Sequence, residues 1–251
     1  MKGWQIFIHS VRQVFGNLEA ALKVSGPLYL IQLAVAVFIG VNVFSAIDFS
    51  AQGARLPVGP LLIVILVTSV VGVWIAVAWH RFILRVERPS SLLPAFNGDR
   101  MMAYFGRSFL IALLVIPAAV AIGFVAALLA YAFQPFGEST MELVARVLFV
   151  VPLVFLVLRL SVSLPAAALG ESSGIGDGWR ATIGQAADLL ALSVILVVFG
   201  SLLALPGKLF LPPGGLVPAI WAALIGWVQM MVWASVLTTL YGHYIEGRAL
   251  S

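Results

Sequence analysis

Three histidines, His9, His80 and His243, and four loop acids, Glu87, Asp99, Glu171 and Asp177, are the side chains of this sequence best suited to chemistry. Imidazoles gathered on one face could hold zinc or a haem iron, and an imidazole beside a carboxylate could move protons. Their spacing supports neither. No two histidines stand at H-x-x-x-H spacing, and Ser-x-x-Lys, HExxH and paired-carboxylate patterns are absent. Without a cysteine there is no thiolate ligand, thiol nucleophile or disulfide. ESSGIGDGW, residues 171–179, resembles a phosphate-cradling loop in its glycines alone, since no P-loop lysine follows it. These patterns predict no catalytic residue, no cofactor and no metal site.

What the same residues do form is a set of related helix ends. WHRF (79–82), VLRLS (157–161) and LYGHY (240–244) each close an apolar run with a cation or an aromatic ring. Trp79 suits a membrane interface, and the neighbouring arginines suit its water side. The candidate functional face is therefore a basic, aromatic collar of His80, Arg81, Arg85, Arg159, Trp179, Arg180 and His243. Inside the apolar runs the notable polar groups are Gln32, Asn42 and Gln229. None is ionisable, which argues against an ion-coupled mechanism and for hydrogen bonds between helices. Arg146 and Arg159 can extend toward water from opposite ends of one run.

The elements that carry these residues follow from composition. Of 251 residues, 62% are hydrophobic and 10% charged, and the mean hydropathy is +1.11. Soluble domains carry about 25% charged residues, so lipid must be part of this protein's solvent. A net charge of +4, dispersed along the chain, does not make a nucleic-acid surface. Six apolar runs of spanning length occur at residues 27–47, 58–79, 108–133, 143–164, 189–205 and 216–241. Ser25-Gly26-Pro27 is expected to open the first of them. None of the runs alternates as barrel strands do, so the predicted fold is all-α.

Residues 1–26 do not read as a cleaved signal peptide. Trp4, Phe7, Ile8, Val11, Phe15, Leu18 and Leu22 recur at helical spacing, opposite Gln5, His9, Arg12, Gln13, Asn17 and Lys23. This predicts an amphipathic helix that either lies in the membrane interface or packs on the spans as a lid. Counting Lys and Arg by loop places eleven on one side and Arg55, Arg146 and Lys208 on the other. The positive-inside rule then puts both termini in the cytoplasm.

FGNLEAALKVS (15–25) and IGQAADLLALS (183–193) align without gaps, each downstream of a Gly-Trp pair. FNGDRMMAYFGRS (96–108) is a looser third copy. The pattern suggests three units, each an interfacial segment plus a helical hairpin, related by rotation about the membrane normal.

RLSVSLPAAALGESSGIGDGWRATIGQ, residues 159–185, resembles a segment of bacterial multi-pass inner-membrane proteins. These include the membrane domain attached to some glycerophosphodiester phosphodiesterases. The resemblance implies a stand-alone membrane domain of bacterial inner-membrane type; the chain carries no phosphodiesterase domain, so that activity is not implied. The expected function is a non-enzymatic accessory or assembly protein acting through its collar. A small-molecule or lipid transporter, uncoupled or oligomeric, is the alternative. The expected partners are the lipid bilayer and either another membrane protein or a second copy of the chain.

Overall fold

The computed structural model describes residues 2–46, 58–89, 93–211 and 215–250. Its elements are α1 (Lys2–Gly16), α2 (Leu18–Ala46), α3 (Val58–Arg85), α4 (Gly98–Tyr131), α5 (Glu138–Ser161), α6 (Leu164–Leu169), α7 (Ile175–Ala181), α8 (Ala186–Phe210) and α9 (Leu216–Tyr244). No strand occurs among the described residues. Within them, six stretches are long and apolar enough to cross a membrane: Leu18–Ile39, Val58–Arg85, Gly98–Tyr131, Glu138–Leu169, Ala186–Phe210 and Leu216–Tyr244. Their outward faces are apolar too. Phe109, Leu113, Ile116, Val120 and Phe124 of α4 are exposed, as are Leu62, Ile65 and Leu66 of α3. So large an apolar surface is stable against hydrocarbon and not against water. The chain is an all-α, multi-pass membrane protein.

Helix boundaries run past the apolar runs because backbone hydrogen bonding continues through polar side chains. α4 starts at Gly98, well before residue 108, and α9 continues to Tyr244. α2 departs furthest from expectation. It runs from Leu18 to Ala46 with Pro27 in its interior, so Ser25-Gly26-Pro27 opens nothing. Ser25 Oγ donates to the Ala21 carbonyl at 2.6 Å and accepts the Trp227 indole N–H at 2.8 Å. Its hydroxyl joins α2 to α9 instead of capping a helix. The amphipathic helix correspondingly stops at Gly16, not at residue 26.

α1 packs across α8 and α9, burying Gly3, Ile6, Phe7, Ser10 and Val14. Trp4 and Phe15 of the same helix remain exposed, as do Leu18 and Leu22, which the sequence reading grouped with them and which belong to α2. One face is thus docked on the bundle and a second apolar face is left open. Gly3 explains the docking geometry, because a Cβ there would sit 2.5 Å from the Asp188 carbonyl oxygen of α8. Gly178, the glycine of the other Gly-Trp pair, is a second close approach, with Ser163 N 3.1 Å from its missing Cβ.

α9 is the centre of the bundle. From Met231 to Gly242 it is buried on almost every face, packed by α1, α2, α3, α6, α7 and α8. The short α6 is wholly buried beside α3, α4 and α9. Gly170 ends it in the left-handed region, φ +81°, and the Gly170 and Glu171 amides close back on the Ala167 and Ala166 carbonyls. That is a Schellman turn, which satisfies the last carbonyls of the helix.

The aligned segments 15–25, 96–108 and 183–193 fall at the starts of α2, α4 and α8. α1 packs on α8 and α9, and α7 packs on α5. The chain leading into α4 packs on α3, where the Phe96 and Trp74 rings form a T-shaped pair with centroids 5.1 Å apart.

Candidate functional site

The collar residues share one end of the bundle but not one pocket. Arg81 donates to both carboxylate oxygens of Glu87 at 2.7 Å and to the Ala168 carbonyl at 3.0 Å. Arg159 stacks on Trp179, with its guanidinium carbon 3.9 Å from the ring centroid, and donates to Thr182 Oγ1 at 3.1 Å. Arg180 pairs with Asp177 at 2.5 Å. His243 donates from Nδ1 to the Arg248 carbonyl at 3.0 Å, and Arg248 reaches back to the Leu84 carbonyl at 3.0 Å. Arg85 is exposed in the last turn of α3, where the helix dipole favours a cation. Most of these groups therefore clamp the chain to itself.

Two clamps hold α6. Arg81 binds a carbonyl at its C-terminal end, and Arg107 donates to the Ser163 carbonyl at its start at 2.6 Å. Glu171, just beyond it, accepts the Tyr241 hydroxyl. α7 is tied by Asp177, which accepts the Gly174 amide at 2.7 Å. That bond, and then the Arg180 guanidinium, hold the Asp177 carboxyl below the usual carboxylate range.

His80 and Trp79 are not surface residues. Both are fully buried against α9. The Trp79 indole donates to Ser235 Oγ at 2.8 Å. Thr238 gives its proton to the Ala234 carbonyl at 2.8 Å, so it accepts from His80 Nδ1, also at 2.8 Å. His80 Nε2 is then the acceptor for the buried Tyr104 hydroxyl at 3.3 Å. One ring thus links α3, α4 and α9 in a single tautomer, with both nitrogens engaged. A second chain of polar contacts joins α1 to α9. Ser10 Oγ lies 3.0 Å from Thr239 Oγ1, which lies 3.4 Å from Gln13 Oε1, and Gln13 Nε2 donates to His9 at 3.0 Å. Among the described residues no three of His, Asp and Glu come together as metal ligands would.

The intramembrane amides diverge. Gln32 lies on α2 with its Oε1 buried and without a partner among the described residues. Asn42 belongs to α2, with its side chain outside the described residues. Gln229 turns the other way, donating to the Gly200 carbonyl of α8 at 3.4 Å. It lines a cavity of about 590 Å³ between α5, α8 and the middle of α9. At a rise of 1.5 Å per residue, Gln229 lies about 15–20 Å from the Phe210 end of the bundle, near the middle of a bilayer core.

The walls of this groove are mostly Leu143, Val150, Val154, Leu196, Phe199 and Trp233. Its polar lining comprises Gln229, Ser201, Arg146 and Lys208. Ser201 spends its hydroxyl on the Val197 carbonyl at 2.8 Å. Arg146 and Lys208 are both exposed and lie toward the end opposite the collar. Volume and lining fall in the range of small-molecule sites, about 300–1,000 Å³, walled by apolar side chains with few polar groups.

Of the candidate site residues named from sequence, Gln229 alone belongs to this groove. Arg146 was legible as a snorkelling cation and Lys208 as one of the few basic residues of its side. That both line one groove was not, because it depends on α5 lying beside α8. Gly200 and Trp233 gave no signal at all. No protein-family model, curated protein or solved structure matches this chain.

Proposed function

We propose that the protein is a non-enzymatic, multi-pass protein of the bacterial inner membrane that takes a membrane amphiphile into the groove between α5, α8 and α9. The observation that carries this reading is the groove itself, apolar along its length, with an amide at its foot and two cations at its mouth. Among the described residues no carboxylate or imidazole lines it, so they offer no group to exchange protons with a bound molecule near neutral pH. That composition suits holding or passing on a lipid better than transforming one. The bacterial inner-membrane assignment rests on the resemblance of residues 159–185. The cytoplasmic placement of both termini rests on the excess of Lys and Arg at the collar.

An assembly role through the collar has less support, because its cations are largely spent on carbonyls and carboxylates of the same chain. The test is native mass spectrometry of the whole protein in mild detergent, beside the groove-filling variant Ala204→Trp. Wild-type protein is expected to retain lipid-sized adducts, and the variant to lose most of them with its helical circular dichroism unchanged. Equal retention by both, or none by wild type, overturns the proposal.

A further inference from the structure

The two groove cations differ from four of the arginines at the other end of the molecule. Arg81, Arg107, Arg159 and Arg248 each have an acceptor within their own chain. Arg146 and Lys208 have no hydrogen-bond or ion-pair partner among the described residues. Glu138 and Glu142 share a helix with Arg146, yet neither lines the groove or pairs with it. Position alone accounts for part of Lys208, since it lies in the last turn of α8, where the helix dipole favours a cation. It does not account for Arg146. That residue lies more than two turns inside α5, counted from the end where the dipole disfavours positive charge.

The described lining of this apolar groove therefore carries two cations and no acid. On this basis, and resting on the reading above, we infer that the occupant is an anionic lipid. Its head-group phosphate is held between Arg146 and Lys208, and one acyl chain runs along Val150, Val154 and Phe199 toward Gln229. Charge complementarity selects the occupant. A guanidinium binds a phosphate through two parallel N–H bonds and an ammonium adds a point charge, both stronger where lipid lowers the local dielectric. A zwitterionic lipid brings its own cation to the same mouth, where two fixed cations repel it. The lipid belongs to the leaflet at the α4–α5 end, which is the outer leaflet if the collar is cytoplasmic.

The test titrates the whole detergent-purified protein with phosphatidylglycerol and with phosphatidylcholine of identical chains, read by native mass spectrometry. The arms are wild type, Arg146→Gln/Lys208→Gln and Ala204→Trp, with inorganic phosphate as a competitor. Phosphatidylglycerol is expected to bind wild type about tenfold more tightly, as one or two charge-assisted contacts allow. The double variant should bind both lipids about equally, and Ala204→Trp should bind neither well. Equal affinities in wild type, with Ala204→Trp still weakening both, would overturn the anionic selection and leave the groove intact as a lipid site. Loss of neither lipid in Ala204→Trp overturns the groove and this inference together. Displacement of phosphatidylglycerol by millimolar phosphate would point to a free-anion site and also refute the lipid assignment. The wild-type comparison needs no variant, so a folding defect cannot blur it.

Discussion

The contact between His80 and Tyr104 makes a quantitative prediction, because only one polar atom loses its partner when the ring is removed. In His80→Leu the Thr238 hydroxyl still donates to the Ala234 carbonyl, so it stays satisfied. The Tyr104 hydroxyl does not, since His80 Nε2 is its acceptor and Tyr104 is only 6% exposed. A buried hydroxyl without a partner costs about 1–3 kcal/mol. Tyr104→Phe in the wild-type background should destabilise modestly, by removing that hydrogen bond. In the His80→Leu background the same change should be neutral or stabilising, because it deletes the orphaned hydroxyl. The double-mutant cycle should therefore give a coupling of about 0.6–1.7 kcal/mol, as for hydrogen bonds between membrane helices. The chain has no cysteine for a thiol reporter, so the assay is SDS-induced unfolding followed by far-ultraviolet circular dichroism. If Tyr104→Phe costs the same in both backgrounds, the ring does not bridge α3 and α4 and the buried network is wrong.

Three further predictions concern α1, α7 and the turn between α4 and α5. Gly3→Ala should lift α1 from α8, because the new methyl meets a backbone carbonyl that cannot turn aside; the cost is about 1–3 kcal/mol. Faster protease cleavage near Asn17 would report it, and unchanged cleavage and stability would refute it. The Asp177 carboxylate should hold α7 at neutral pH. Since its folded-state pKa is lowered from 3.8, its contribution is complete above that value and is lost as pH falls through the lower folded value. Corrected hydrogen-exchange protection of residues 174–182 should therefore drop only in strong acid, and Asp177→Asn should show the drop already at neutral pH. A reporter fused at Gly137, in the turn between α4 and α5, should read the non-cytoplasmic side; a cytoplasmic signal would reverse the topology.

Hydropathy by itself determined the solvent, the number of spans and the fold class, because an apolar run of spanning length has few alternatives to a helix in lipid. Gln229, Arg146 and Lys208 were each visible as residues in the same way. Uniformly apolar sequence carries no record of which helix faces which, so their meeting in one groove was decided only by the packing of α5, α8 and α9. The same limit hid the burial of Trp79 and His80. A tryptophan and a histidine at the end of an apolar run look identical whether they meet lipid head groups or the serine and threonine of α9. It also hid the continuity of α2 through Pro27, where Ser25 had a distant indole to bond and not a helix start to cap. Sequence set the chemistry available at each end of the bundle. Tertiary structure used up most of it at the collar, on the chain's own carbonyls and carboxylates, and left the two cations of the groove unpaired among the described residues.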